Sequence, residues 1–229
     1  MVKIFADGAN RNTILELNQN PIVSGFTTNP ALLRKAGVTN YKEFAFDILS
    51  VIPDKPISFE VIADNPYEMY RQALEIASWG KNVYVKIPIT NTEGKIMRDI
   101  VSQLSGKVKL NITAIMTIQQ VRKILPALIL GNGAVISIFA GRIADTGINP
   151  LPIMKSALRL IENTNVELIW ASPREVYNVY QAEDIGCHII TCTSDLIKKL
   201  PLKGKNLSEY SLDTVKMFYN DAKEAGYEI

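Results

Sequence analysis

Short apolar runs alternate with longer amphipathic segments along the whole chain. Eight of the apolar runs are about five residues long and rich in β-branched side chains, which is typical of buried strands in a parallel sheet. These predicted strands lie at residues 2–6, 22–26, 57–61, 83–87, 108–112, 134–139, 167–171 and 188–192.

The segments between the predicted strands carry helix signals. Asn65 and Pro66 open an apolar-periodic run to residue 77, and Thr117 precedes a second run over residues 118–130. Pro126 is expected to kink or split this second helix, because proline lacks the N–H that a helix interior uses. Pro150 opens a further helical run over residues 153–161.

Eight strand–helix units without a linker-like stretch predict an α/β fold, a (β/α)8 TIM barrel forming a single domain over residues 1–229. An additional C-terminal helix is expected at about 207–225. The competing fold is an open, doubly wound sheet, which usually carries a glycine-rich phosphate turn after its first strand. Residues 7–10 read Asp-Gly-Ala-Asn, which is not such a turn.

Composition excludes several classes of protein. Apolar residues make up 47% and charged residues 21%, which excludes a disordered chain, a collagen-like repeat and a coiled coil. The net charge of +2 provides no single-sign field for a nucleic-acid backbone. The sequence shows neither a signal-peptide pattern nor an 18-residue apolar run. We therefore expect a soluble, cytoplasmic protein without nucleic-acid or membrane partners.

Cysteine and histidine are too scarce for most metal and redox chemistry. Cys187 and Cys192 are too few for a disulfide framework and are predicted to be reduced and buried. The single histidine, His188, excludes multi-histidine metal sites and triads that need two imidazoles. The chemistry is expected to use lysine, carboxylates, hydroxyls and amides, with no metal or cofactor.

Polar residues follow almost every predicted strand, and the carboxyl ends of barrel strands are where catalytic groups cluster. The set is Asp7, residues 27–29, Glu60, Lys86, Asn111, Thr113, Ser137, Arg142, Ser172 and Arg174. Lys86 is the most informative, because its neighbours in the strand are apolar or aromatic. Desolvation disfavours an ammonium there and favours a neutral amine that attacks a ketone to form a Schiff base. The alternative is a structural lysine that snorkels or pairs with a carboxylate.

Six motifs on successive predicted strands resemble the transaldolase/fructose-6-phosphate aldolase family, particularly its small-subunit members. They are FADGAN (5–10), GFTTNP (25–30), VKIP (85–88), LNITA (110–114), FAGRI (139–143) and ASPR (171–174). Each motif is weak alone, but together they follow the family's order and span most of the chain.

The resemblance implies catalytic roles for Lys86, Asp7, Glu60 and Thr113. Lys86 resembles the Schiff-base lysine, and Asp7 resembles the aspartate that handles the substrate hydroxyl proton during C–C cleavage. Thr113 resembles the threonine that holds a catalytic water together with a glutamate. The structural alternatives are a helix N-cap for Asp7 and a turn or cap role for Thr113.

The resemblance also implies a set of substrate-binding residues. These are Thr28, Asn29, Asn111, Ser137, Phe139, Arg142, Ser172 and Arg174. The two asparagines resemble amides that orient substrate hydroxyls, with turn and cap roles as the alternative. The two arginines and Ser172 resemble a phosphate-binding group, which suits the planar fork of a guanidinium. For Arg142 the alternative is a structural ion pair with Asp145.

Two positions favour transfer over cleavage. Glu60 stands where the aldolase branch carries a glutamine, and Phe139 stands where that branch carries a tyrosine. The resemblance therefore implies transfer of a dihydroxyacetone unit from a ketose phosphate, such as fructose 6-phosphate or sedoheptulose 7-phosphate, to an aldose phosphate. The alternatives are cleavage that releases dihydroxyacetone, a different sugar substrate, or a catalytically inactive oligomeric barrel. Ile138, Ala140 and Pro173 depart from the family's pattern and leave the sugar open.

The C-terminal segment carries apolar residues that a closed barrel does not need. In small family members such a helix reaches a neighbouring subunit, so the resemblance implies a homopentamer or homodecamer. The alternative is a helix that folds back on its own barrel.

Overall fold

The computed structural model describes residues 1–131 and 133–228, and in this part of the chain eight parallel strands close into a barrel in sequence order. The strands are β1 (Lys3–Asp7), β2 (Val23–Thr27), β3 (Ile57–Glu60), β4 (Val83–Pro88), β5 (Leu110–Ile115), β6 (Ala134–Ile138), β7 (Val166–Trp170) and β8 (Ile189–Thr193). Pairing of β1 with both β2 and β8 closes the sheet. The (β/α)8 prediction is confirmed, and the open, doubly wound sheet is excluded.

Helices follow the strands in alternation. They are α1 (Arg11–Asn18), α2 (Pro30–Lys35), α3 (Tyr41–Val51), α4 (Pro66–Ala77), α5 (Arg98–Leu104), α6 (Ile118–Leu128), α7 (Ala140–Asp145), α8 (Leu151–Ile161), α9 (Tyr177–Asp184), α10 (Ser194–Lys199) and α11 (Leu207–Glu224). Helix α6 runs past Pro126 to Leu128, so the expected split is wrong. The proline lies near the helix end, where its missing N–H removes little, and buried Val121 and Ile124 hold the preceding turns in place.

The barrel interior has an apolar layer beneath a polar one, because side chains alternate along each strand. Five buried residues, here called the floor cluster, pack together inside the barrel. Its members are Phe5, Val135, Ile169, Ala171 and Ile189. A Cβ on Gly25 would lie 2.6 Å from the Phe5 ring and would clash with it. Glycine at position 25 therefore leaves room for the Phe5 ring inside the barrel. Two residues further along several strands, the inward positions become polar.

The chain divides into two compact units, Met1–Ile197 and the residues from Lys198 onward. The first unit contains the barrel. In the second, a short 3₁₀ turn (Leu200–Leu202) precedes α11, whose apolar side chains are exposed along its length. That residues 1–229 form a single domain stays a prediction.

Two further sequence-based expectations can be compared with the fold. Cys187 and Cys192 are free and buried, as predicted, and burial raises the pKa of each thiol to about 12. Within residues 1–131 and 133–228, no helix combines the length and apolarity needed to cross a bilayer.

Candidate active site

The polar layer surrounds a narrow cavity of about 90 Å³ at the carboxyl ends of the strands. Eight of the predicted catalytic and substrate-binding residues line this cavity: Asp7, Asn29, Lys86, Thr113, Ser137, Phe139, Arg142 and Ser172. Thr27, Ala171 and Thr191 complete the lining. Four other predicted site residues, Thr28, Glu60, Asn111 and Arg174, lie around the cavity, and their contacts are described below.

Lys86 projects from β4 into the centre of this layer, with only 7% of its side chain exposed. Its Nζ donates a hydrogen bond to the carbonyl oxygen of Thr28 at 2.8 Å and lies 3.3 Å from Oε2 of Glu60. The carbonyl and the carboxylate hold the amine in one orientation inside the barrel. The alternative of a lysine that snorkels to solvent is wrong, while the pairing with a carboxylate is observed.

Asp7 is the last residue of β1 and lines the same cavity. Burial raises the pKa of the Asp7 carboxyl, while Lys86 and a hydrogen bond from Thr27 pull it down. The N-cap of α1 is Asn10, whose side chain accepts from Thr13, so the capping alternative for Asp7 is wrong. The carboxylate is therefore available to a ligand in the cavity.

Thr113 presents a free hydroxyl to the cavity. Its Oγ1 is buried and has no hydrogen-bond partner among the described residues. Directly after it, the register of β5 against β6 shifts, and Ala114 takes a left-handed φ of 60°. Bulges of this kind re-aim side chains beside active sites. An unpaired buried hydroxyl fits a site that binds a water or a substrate oxygen.

The predicted amide and hydroxyl residues divide into a buried network and a helix cap. Ser137 donates to Oδ1 of Asn111, and Nδ2 of Asn111 donates to Ser58, so Asn111 supports the cavity from beneath. The Asn29 side chain lines the cavity and also caps α2 by accepting from the amide of Leu32. The Thr28 hydroxyl donates to the carbonyl of Ser58, away from the cavity.

Basic side chains lie on the side of the mouth formed by β6, β7 and α7. The Arg142 guanidinium lies over the Phe139 ring, 5.4 Å from its centroid. Arg174 donates through both Nε and Nη2 to the carboxylate of Asp145, forming a two-pronged ion pair. Asp145, the ion-pair partner in the alternative role for Arg142, is thus paired with Arg174 instead. Arg142 is the arginine that lines the cavity.

A close backbone approach fixes the loop after β7. Ser172 takes a left-handed φ of 61°, unusual for a residue with a side chain. Its carbonyl oxygen would lie 1.5 Å from a Cβ placed on Gly141, in the first turn of α7. Glycine at 141 is therefore required for the chain around Ser172 and Arg174 to pack against α7.

Some contacts of the site could not be read from the sequence. The Tyr41 hydroxyl donates to the Glu60 carbonyl oxygen at 3.0 Å and accepts from the Glu60 amide at 2.7 Å. Tyr41 lies in a helix after β2, and no local pattern links it to β3. Thr191 was also missed, although its inward position follows from alternation along β8 once the barrel is assumed.

The site as built combines a buried amine, two carboxylates and an unpaired hydroxyl around one cavity, with a guanidinium at the mouth. This set can attack a carbonyl, move protons and bind an anion. His188 is not among the residues that line the cavity, and its Nδ1 accepts the backbone N–H of Leu168. No group of three or more His, Cys, Asp or Glu side chains suited to a metal occurs in the described ranges.

Comparison with solved structures supports the fold. A 2,3-dimethylmalate lyase of the PEP mutase/isocitrate lyase superfamily aligns with a TM-score of 0.57 at 9% identity, covering 99% of this chain and 84% of that one. At such low identity the likeness concerns the barrel architecture alone.

Sequence comparison is more specific. A protein named "Probable transaldolase" from Dehalococcoides mccartyi is 33% identical over 218 residues, covering 93% of this chain and 97% of that protein. One of the same name from Thermoanaerobacter sp. is 33% identical over 217 residues, covering 93% and 96%. The family model described as Transaldolase/Fructose-6-phosphate aldolase matches residues 4–229. With these matches added to the strand-end residues, the chain belongs to the transaldolase/fructose-6-phosphate aldolase family.

Proposed function

We propose that the protein is a transaldolase that forms a Schiff base through Lys86 and transfers a dihydroxyacetone unit from a ketose phosphate to an aldose phosphate. The observation that carries this proposal is the placement of the buried Lys86 amine, which lines the cavity together with Asp7 and lies 3.3 Å from the Glu60 carboxylate. Fructose 6-phosphate and sedoheptulose 7-phosphate are the proposed donors.

The first stage forms the imine. The amine of Lys86 attacks the ketose carbonyl carbon, and the resulting carbinolamine loses water to give an iminium ion. Glu60 lies 3.3 Å from the amine and accepts and returns protons during this step, through a water that the free Thr113 hydroxyl holds.

The second stage breaks and remakes a C–C bond without any change in overall oxidation level. Asp7 takes the proton of the C4 hydroxyl as the C3–C4 bond breaks, and the bonding electrons move into the iminium to give an enamine. The aldose phosphate departs. The enamine carbon then attacks the aldehyde of a second aldose phosphate, Asp7 returns the proton to the new hydroxyl, and water hydrolyses the iminium.

Anion recognition is assigned to the arginine side of the mouth. Arg142 faces the cavity with a guanidinium that suits phosphate oxygens, and its stacking on Phe139 restricts the side chain without using its hydrogen-bond donors. Arg174 and Ser172 are proposed to complete this subsite.

Transfer is favoured over simple cleavage by the resemblance at two positions. Glu60 supplies a carboxylate and Phe139 a ring without a hydroxyl, where the aldolase branch has glutamine and tyrosine. The transfer assay uses fructose 6-phosphate with erythrose 4-phosphate, and free dihydroxyacetone is measured without acceptor. Transferase activity with little free dihydroxyacetone supports the proposal, and the reverse ratio favours the cleavage alternative.

Borohydride trapping tests the mechanism directly. Reduction in the presence of fructose 6-phosphate is expected to leave a stable adduct on the peptide that contains Lys86, detected by mass spectrometry. Lys86→Met should form no adduct, while Lys155→Met, on an exposed position of α8, is the matched control and should retain it. A label on another lysine, or none on the wild type, would refute the Schiff-base mechanism.

We also propose self-association into a homopentamer or homodecamer and a cytoplasmic location. The exposed apolar residues of α11, among them Leu207, Leu212, Val215 and Phe218, support self-association. Truncation before Leu207 followed by light scattering tests it: a chain that keeps its assembly without α11 would exclude this helix as the contact.

A further inference from the structure

A chain of hydroxyl groups leads from β8 to the Asp7 carboxylate. The Thr27 hydroxyl donates to Oδ1 of Asp7 at 2.7 Å, and the hydroxyls of Thr27 and Thr191 are in direct hydrogen-bond contact. Both threonines are buried, at 3% and 6% exposure, and both line the cavity.

The direction of these hydrogen bonds follows from the chemistry of the groups. An ionised carboxylate has acceptors only, so the proton of the Thr27 hydroxyl is committed to Asp7. Thr27 can then act only as an acceptor toward Thr191, and Thr191 must donate. The order is therefore Thr191 to Thr27 to Asp7, and Oδ2 of Asp7 remains for a group in the cavity.

The surroundings of Asp7 contain groups of both signs. Lys86 from β4 and Glu60 from β3 act electrostatically on Asp7, and Asp7 in turn acts on the buried Cys192 thiol of β8. Lys35 of α2 and Asp195 of α10 share a second cavity with Asp7. Burial raises the pKa of the Asp7 carboxyl most strongly and Glu60 raises it further, whereas Lys86 and the hydrogen bond from Thr27 lower it.

We propose that Thr27 and Thr191 are positioning residues that hold Asp7 ionised and fix which of its oxygens meets the substrate hydroxyl. Thr191 acts through Thr27, since its own hydroxyl contacts Thr27. The inference rests on the proposed function for the identity of the substrate, but the hydroxyl chain can be measured without turnover.

Valine replaces threonine with nearly the same shape and without the hydroxyl, so Thr27→Val and Thr191→Val remove the two members in turn. The first readout is the pH dependence of kcat/KM for transfer, and the second is a 13C NMR titration of the Asp7 carboxyl, assigned with Asp7→Asn. Thr27→Ser and Thr191→Ser keep the hydroxyls and serve as matched controls, and thermal melts confirm folding.

Thr27→Val is expected to move the acidic limb of the profile and the carboxyl titration upward by about one pH unit, because a hydrogen bond to a charged group is lost. Thr191→Val is expected to shift both in the same direction by a few tenths of a unit, because each bond in a chain strengthens its neighbour by roughly 10–30%. In the Thr27→Val background, Thr191→Val should add nothing, because the path to Asp7 is already cut.

Two results would overturn the relay: an unchanged Asp7 titration in Thr27→Val, or an undiminished effect of Thr191→Val in that background. Either would reduce the two threonines to packing residues. If the wild type forms no borohydride adduct with fructose 6-phosphate, the proposed function fails, and the carboxyl titration still decides the relay.

Discussion

Replacement of Gly141 by alanine is expected to damage both the stability of the fold and substrate binding. A Cβ at this position would lie 1.5 Å from the Ser172 carbonyl oxygen and 2.6 Å from the Ser172 carbonyl carbon. Both atoms belong to the backbone, so no side-chain rotation relieves the clash. The loop after β7 must move away from α7 by more than an ångström.

The magnitude is the difference of two opposing effects. Overpacking costs about 1–3 kcal/mol, and the upper end applies here because the contact is with backbone. Alanine is better than glycine in a helix by about 1 kcal/mol. Gly141→Ala should therefore lower the free energy of unfolding by about 2 kcal/mol. Because the displaced segment carries Ser172 and Arg174, kcat/KM for the sugar phosphate should fall by roughly 10–100-fold.

Urea denaturation and the transfer assay measure the two effects. Gly8→Ala is the matched control, because a Cβ there meets nothing within 4 Å. Its unfolding free energy should stay within about 0.5 kcal/mol of the wild type. A Gly141→Ala protein that unfolds and turns over like the wild type would show that the approach of Ser172 to α7 does not constrain the site.

Three further substitutions probe other parts of the site. Asp7→Asn should raise the melting temperature, because burial raises the pKa of the Asp7 carboxyl and its ionised form is disfavoured in the fold. The gain should grow as the pH rises above about 4 and vanish below it, where the carboxyl is neutral in both the folded and unfolded states; a gain at low pH alone would contradict this. Tyr41→Phe removes the hydroxyl that bridges the Glu60 backbone and should cost about 1–3 kcal/mol in urea denaturation, whereas an unchanged midpoint would argue against the bridge. Asp145→Asn should lower KM for phosphorylated substrates several-fold, because the carboxylate that competes with phosphate for Arg174 becomes neutral; an increase in KM would mean that Asp145 holds Arg174 in its binding position.

The barrel and most of the cavity lining could be predicted from the sequence, because both depend on local patterns. Short apolar runs placed the strands, and the polar residues that follow them fell at one end of the barrel. Lys86 stood out because a lysine is almost never buried in an apolar strand unless its charge is paired. The motif resemblance then assigned the remaining roles.

The missed contacts depend on tertiary geometry. The Thr28 carbonyl that holds Lys86 is a backbone group, and a sequence shows nothing of where its lone pairs point. Asp145 was considered as a partner of Arg142, three residues before it, but its partner Arg174 lies 29 residues away. The three-residue spacing within α7 could suggest the pairing of Asp145 with Arg142. The pairing of Asp145 with Arg174 depends instead on how the loop after β7 crosses α7.

The separation of the barrel interior into a floor cluster and a polar layer has a practical consequence for engineering. A library confined to Phe5, Val135, Ile169 and Ile189 would search for thermostability while leaving the proposed proton carriers untouched. A library in the polar layer would search for new sugars with little effect on packing beneath. Phe139 is where the two searches meet, because it packs on the floor cluster and supports Arg142. A change at that ring should therefore alter heat tolerance and substrate choice together.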